Sequence, residues 1–216
     1  MWTRVRVLSL GAAALTLAAC GNIHPGDAAV VDGRSISMTT FDKTARVYCE
    51  LTLISAQEQG ISSVPNADIR RQTISDLVTI SIARDLAEQE GITIDKQSYE
   101  LSSDQLSQIA SEFPKDDDAE TVELVIENSQ EIAALSVALA EKATGTAATE
   151  DNAAQMAEAG RAAILTAFKD HDVEFAPRFG LSDTLEDLGP TGSLSASNID
   201  FEAPSDDELP AAQRCA

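Results

Sequence analysis

Few side chains in this sequence have the types and spacing that chemistry needs. There are two histidines, His24 and His171. A zinc centre needs three or four convergent ligands, and no such spacing surrounds either one. His171, in Lys169-Asp170-His171-Asp172, reads as a cation near a helix C-terminus, where the dipole favours positive charge. Asp116-Asp117-Asp118, with Glu120 beyond, suggests a calcium loop but lacks its central glycine. Acidic residues at a helix start are favourable without a metal. No Ser sits in a G-x-S-x-G nucleophile motif. Gly189-Pro190-Thr191-Gly192 lacks the Lys and glycine spacing of a phosphate loop and reads as a turn. The sequence therefore supplies no catalytic, cofactor-binding or metal-binding set, and the expectation is a non-enzyme without a cofactor.

The three cysteines carry more information. Residues 1–20 read MWTRVRVLSLGAAALTLAAC. Arg4 and Arg6 form a positive start, and Val7 to Ala19 form an apolar stretch too short to span a bilayer as an ordinary helix. Leu17-Ala18-Ala19-Cys20-Gly21 resembles a bacterial lipobox. The resemblance implies a signal peptide over 1–19, cleavage before Cys20, and a diacylglycerol on its thiol. The mature chain would then be anchored by lipid to the extracytoplasmic face of a cell membrane, with 20–27 as a tether. That space permits disulfides. With Cys20 lipidated, Cys49 and Cys215 remain, and one bridge between them is expected. The alternative is two free thiols, one buried at Cys49 and one exposed at Cys215.

Composition narrows the function classes. The 216 residues suit one domain of ordinary size with tails. Hydrophobic residues make up 44%, too many for a disordered chain. Aromatic residues make up 4%, so the core must rest on Leu, Ile, Val and Ala. The net charge of −21 repels phosphate backbones and excludes nucleic acid as a partner. It also opposes electrostatic docking on anionic lipid heads.

The pattern predicts a mainly α fold closed by a small β element. Ala28 to Val31, Asp32-Gly33 and Arg34 to Ser37 read as a hairpin. A helix follows, capped by Thr39 or Thr40 and ended by Gly60. A second helix runs from about 67 to 90, with Asn66 as its cap. Asp95 onward suggests a third, stopped by Pro114. A long helix over 118–143 carries Val122, Val125, Ser129, Ile132, Ser136 and Leu139 on one stripe. A last helix over 150–170 has small residues that allow a close neighbour. Val173 to Ala176 reads as a strand pairing with the Val30 strand, joining the two ends of a helical domain over 28–180. Residues 181–216 read as an acidic, irregular tail.

Ala29-Val30-Val31-Asp32-Gly33-Arg34-Ser35-Ile36-Ser37 resembles the opening of the SurA N-terminal family. Ile69-Arg70 to Asp95, ending Gly91-Ile92-Thr93-Ile94-Asp95, resembles the family's second block. Val173 to Gly180 resembles the closing strand of lipoproteins with this domain. Asp32 departs from the family's commoner Asn. Nothing between 96 and 172 resembles a parvulin domain. The resemblance therefore implies a fold and polypeptide handling, without prolyl isomerase activity.

Two readings of function follow. The first is a chaperone-like binder of secreted or unfolded polypeptides, with an apolar groove drawn from Phe41, Tyr48, Ile74, Leu77, Phe168 and Phe175. The competing reading of each of these residues is ordinary core packing. The second is a structural or adaptor lipoprotein that binds one cell-envelope partner.

Overall fold

The computed structural model describes residues 23–113, 116–186, 188 and 210–215. The expected signal peptide over 1–19, Cys20 and most of the segment after Glu186 lie outside the described residues.

The described residues open on a hairpin. β1 (Asp27–Val31) and β2 (Arg34–Ser37) pair antiparallel, with Val31 opposite Arg34. Asp32 and Gly33 both take positive φ, 49° and 77°. A two-residue turn that matches the strand twist requires this, and Asp and Gly tolerate it. Ser37 then caps α1 (Met38–Glu58), its Oγ accepting from the Thr40 N–H at 3.1 Å. The cap thus falls before Thr39 and Thr40, because Ser37 is still extended and its hydroxyl reaches the third amide.

α2 (Asn66–Gln89) begins directly after β3 (Val64–Pro65). Asn66 is its first helical residue, and Pro65 occupies the cap position with no side-chain bond. The helix expected from Asp95 is delayed. Asp95 instead caps a single 3-10 turn, Lys96–Ser98. α3 (Ser103–Glu112) starts at a reciprocal capping box between Ser102 and Gln105. α4 (Asp116–Thr144) and α5 (Ala153–Ala167) form the most extensive helix–helix packing among the described residues. A Cβ on Gly160 would meet the backbone of Ser136, so the two helices approach as closely as glycine permits.

β4 (Val173–Phe175) returns beside β1, completing the expected junction of chain ends in a sheet of order β2-β1-β4. The last described strand, β5 (Arg214–Cys215), pairs with β3. The tail is therefore not irregular throughout. Cys215 is bonded to Cys49 of α1, with Cα atoms 5.7 Å apart, inside the range a disulfide allows.

Two apolar clusters result. The main one lies between the sheet and the helices and includes Val31, Phe41, Ile74, Ile82, Leu135 and Ile164. Ile23 at one end and Leu181 and Leu185 at the other pack against it. A second cluster joins α1, α3 and α4 through Val47, Leu101, Ile109, Val122 and Val125. The stretch read as a tether is folded from Ile23 onward, because Ile23 has apolar surface to bury on that core.

Candidate functional site

The six residues proposed for a groove divide in the structure. Phe41, Ile74 and Phe168 are fully buried in the main cluster. They are core, which corrects their assignment to a binding surface. Phe41 meets Phe179 edge-on at 4.7 Å, and the Arg70 guanidinium lies 4.5 Å over its ring. Phe175 is half-buried against the same cluster from β4. Only Tyr48 and Leu77 line an open recess.

That recess forms where the two clusters meet. Tyr48 and Val125 belong to the second cluster and Leu77 and Ile132 to the main one. α1, α2, α4 and α5 do not close completely over the seam, leaving a volume of about 350 Å³. A second recess of about 370 Å³ extends it toward Ile164, Leu165 and Leu185. Gln72, Asp76, Ile132 and Arg161 border both, so the two form one groove.

Its lining mixes apolar and polar side chains. The Tyr48 hydroxyl donates to Asp76 Oδ2 at 2.8 Å. The Gln72 amide donates to Asp76 Oδ1 at 2.8 Å. Both carboxylate oxygens are thereby fixed. Burial pushes the Tyr48 phenol well above its ordinary range, and the Asp76 charge adds to that. Asn128 and Ser129 of α4 face the groove from the other side. Arg161 is exposed and makes no hydrogen bond or ion pair among the described residues. The arrangement offers apolar contact, amide and hydroxyl partners, and one free guanidinium.

A second constellation lies at the far end of the sheet. His171 Nδ1 is 2.6 Å from Asp32 Oδ2, and the Asp172 N–H donates to Asp32 Oδ1 at 2.8 Å. Arg34 holds Asp85 of α2 through both terminal guanidinium nitrogens, Nη1 and Nη2. One ligand atom from each of Asp32, Asp85 and His171 lies within 4.8 Å of the others. This donor set would suit a borderline cation such as zinc. Yet His171 already bonds Asp32, and the Arg34 guanidinium already neutralises Asp85. The cluster ties the β1–β2 turn, α2 and the start of β4 together. His171 is therefore held by more than its place beside a helix end: its side chain is 6% exposed.

Asp118, from the acidic run, pairs with Arg46 of α1 at 2.5 Å. The structure thus gives that residue a partner on another helix. Sequence reasoning missed Gln72, Asp76, Asn128 and Arg161, because polar residues at helical spacing read as a solvated face. One signal was present. Ser129 interrupts the apolar stripe of α4, and it marks the point where the stripe opens onto the groove.

No family model, curated protein or solved structure matches this chain. No described helix is long and apolar enough to cross a membrane.

Proposed function

We propose that this chain is an extracytoplasmic lipoprotein, anchored through Cys20, that binds an extended polypeptide segment without catalysis. The observation that carries the reading is the groove between α1, α2, α4 and α5. An extended peptide has apolar side chains and unpaired backbone amides. Leu77, Val125 and Ile132 receive the first, and Gln72, Asn128 and Ser129 can pair with the second. Arg161 adds a donor for a carbonyl or a carboxylate. The net charge of −21 draws clients of basic character. The SurA N-terminal resemblance points to the same class of ligand.

A second reading, a dedicated cell-envelope partner in place of broad capture of unfolded chains, rests on one observation. Among the described residues, the exposed large apolar side chains, Ile54, Ile61, Leu124, Leu165 and Leu188, come from separate helices and loops. A general holdase would be expected to present a contiguous patch of several hundred Å².

The test uses the mature protein and an unfolded, basic secreted polypeptide at near-equal amounts. Suppression of its aggregation is the expected result. Ser129→Trp fills the groove from an exposed position, and Arg161→Glu reverses its free charge. Both should abolish suppression while leaving the thermal transition in place. Suppression that survives both changes would remove the groove from the reading. No suppression by the wild type would shift it to a single envelope partner.

A further inference from the structure

We infer that the end of the domain carrying Ile23 to Asp27 lies directly on the headgroup layer of the membrane, holding the protein in one orientation. This rests on the lipid anchor at Cys20. Only Gly21 and Asn22 separate that cysteine from Ile23. Three Cα steps of ~3.8 Å reach at most about 11 Å. Each headgroup layer is itself about 5–7 Å thick. The anchor therefore has almost no slack, provided Ile23 is fixed.

It is fixed by independent contacts. The Ile23 side chain packs on the main cluster. Its N–H donates to Glu174 Oε2 of β4 at 3.2 Å. The His24 N–H donates to Asp27 Oδ2 at 2.9 Å, and the Asp27 N–H returns to the His24 carbonyl at 3.0 Å. The Met38 N–H donates to the Gly26 carbonyl at 2.7 Å, tying the turn to the start of α1. Lifting this end farther from the anchor than the short tether reaches would require breaking this network and uncovering Ile23.

The chemistry of this end suits a lipid surface better than the molecule's average does. The first turn of α1 contains no acidic residue and exposes Thr39 and Thr40. It presents the positive end of the helix dipole. Asp27 and Glu174 are already occupied by hydrogen bonds. The contact is with phospholipid headgroups, made by hydroxyls and amides under the constraint of the anchor, against the repulsion of the net charge. β1 leads away from it, and its five residues set the Asp32–Gly33 turn roughly 17 Å farther along the strand.

The experiment uses the lipidated full chain in nanodiscs of phosphatidylethanolamine and phosphatidylglycerol containing a headgroup nitroxide lipid. Intact mass first establishes the diacylglycerol on Cys20. Its absence would overturn both the anchor and this inference. With the lipid present, amide signals of residues 23–27 and 38–40 should lose most of their intensity, and those of Asp32, Gly33 and Asp85 should keep theirs. Insertion of about twelve Gly and Ser residues after Asn22 provides slack and should restore the lost signals. Equal broadening at both ends, or broadening unchanged by the insertion, would overturn the inference while leaving the anchor standing.

Discussion

Gly160 of α5 sits so close to Ser136 of α4 that a Cβ built on it would lie 1.8 Å from the Ser136 carbonyl oxygen. Ser136 is fully buried, and its own hydroxyl turns back to the Ile132 carbonyl at 2.7 Å. The obstacle is backbone on a packed helix, so no side-chain rotation can relieve it. Gly160→Ala must push α4 and α5 apart. The expected cost is about 3 kcal/mol or more, at the upper end for overpacking. Urea unfolding would measure it, and a loss within error of zero would show that the helices are not in this contact.

The Cys49–Cys215 bond closes a loop of sequence separation 166. The chain-entropy model assigns such a link up to about 5 kcal/mol, less any strain in the folded state. Cys215→Ser should lower stability by an amount in that range and expose β3, whose pairing with β5 depends on it. Intact mass under non-reducing conditions should be about 2 Da below the reduced form. Equal masses would show two free thiols instead.

Asp32 is held below its ordinary value of 3.8 by the hydrogen bond to His171, against a desolvation effect that raises it. Asp27 is held below the same value by the hydroxyl of Ser35 and a backbone bond at His24. A carboxyl lowered in the folded state contributes stability that is complete above its unfolded value. That contribution is lost as pH falls through the folded value. Stability should therefore drop on acidification below about pH 4. Asp32→Asn keeps the turn, since Asn also tolerates positive φ, and should make the drop shallower. An unchanged pH slope in that variant would remove the Asp32–His171 pair as a cause.

Tyr48 and Tyr99 are the two tyrosines of the chain. In a Tyr99→Phe background, absorbance reports the phenol of Tyr48 alone. It should resist ionisation well beyond pH 10 for as long as the protein stays folded. Adding Asp76→Asn removes the adjacent charge but not the burial, so the titration should move down without returning fully. Ionisation at the ordinary value in the folded protein would mean that the groove is wetter than described.

Much of the architecture was legible in residue patterns. The apolar spacing of Val122, Val125, Ile132 and Leu139 defined α4. The small residues around Gly160 announced a close helix neighbour. Asp32-Gly33 announced the turn. These are local or single-helix properties, and local sterics and periodicity decide them.

What the pattern left undecided was depth. Phe41, Ile74 and Phe168 have the same apolar character as Leu77, yet they are sealed inside while Leu77 borders a groove. Periodicity selects the apolar side of a helix. How far that side is covered depends on the neighbour packed against it, and that is a property of the assembled domain. Asp32, Asp85, His171 and Arg34 likewise carry no joint signal along the chain. Only the return of β4 to β1, with α2 beneath the sheet, brings their charges together. The sequence by itself determined the elements, the hairpin and the two cysteines available for a bridge. Tertiary packing decided which apolar residues became core, where the seam between two clusters stayed open, and that the chain is already folded three residues after Cys20.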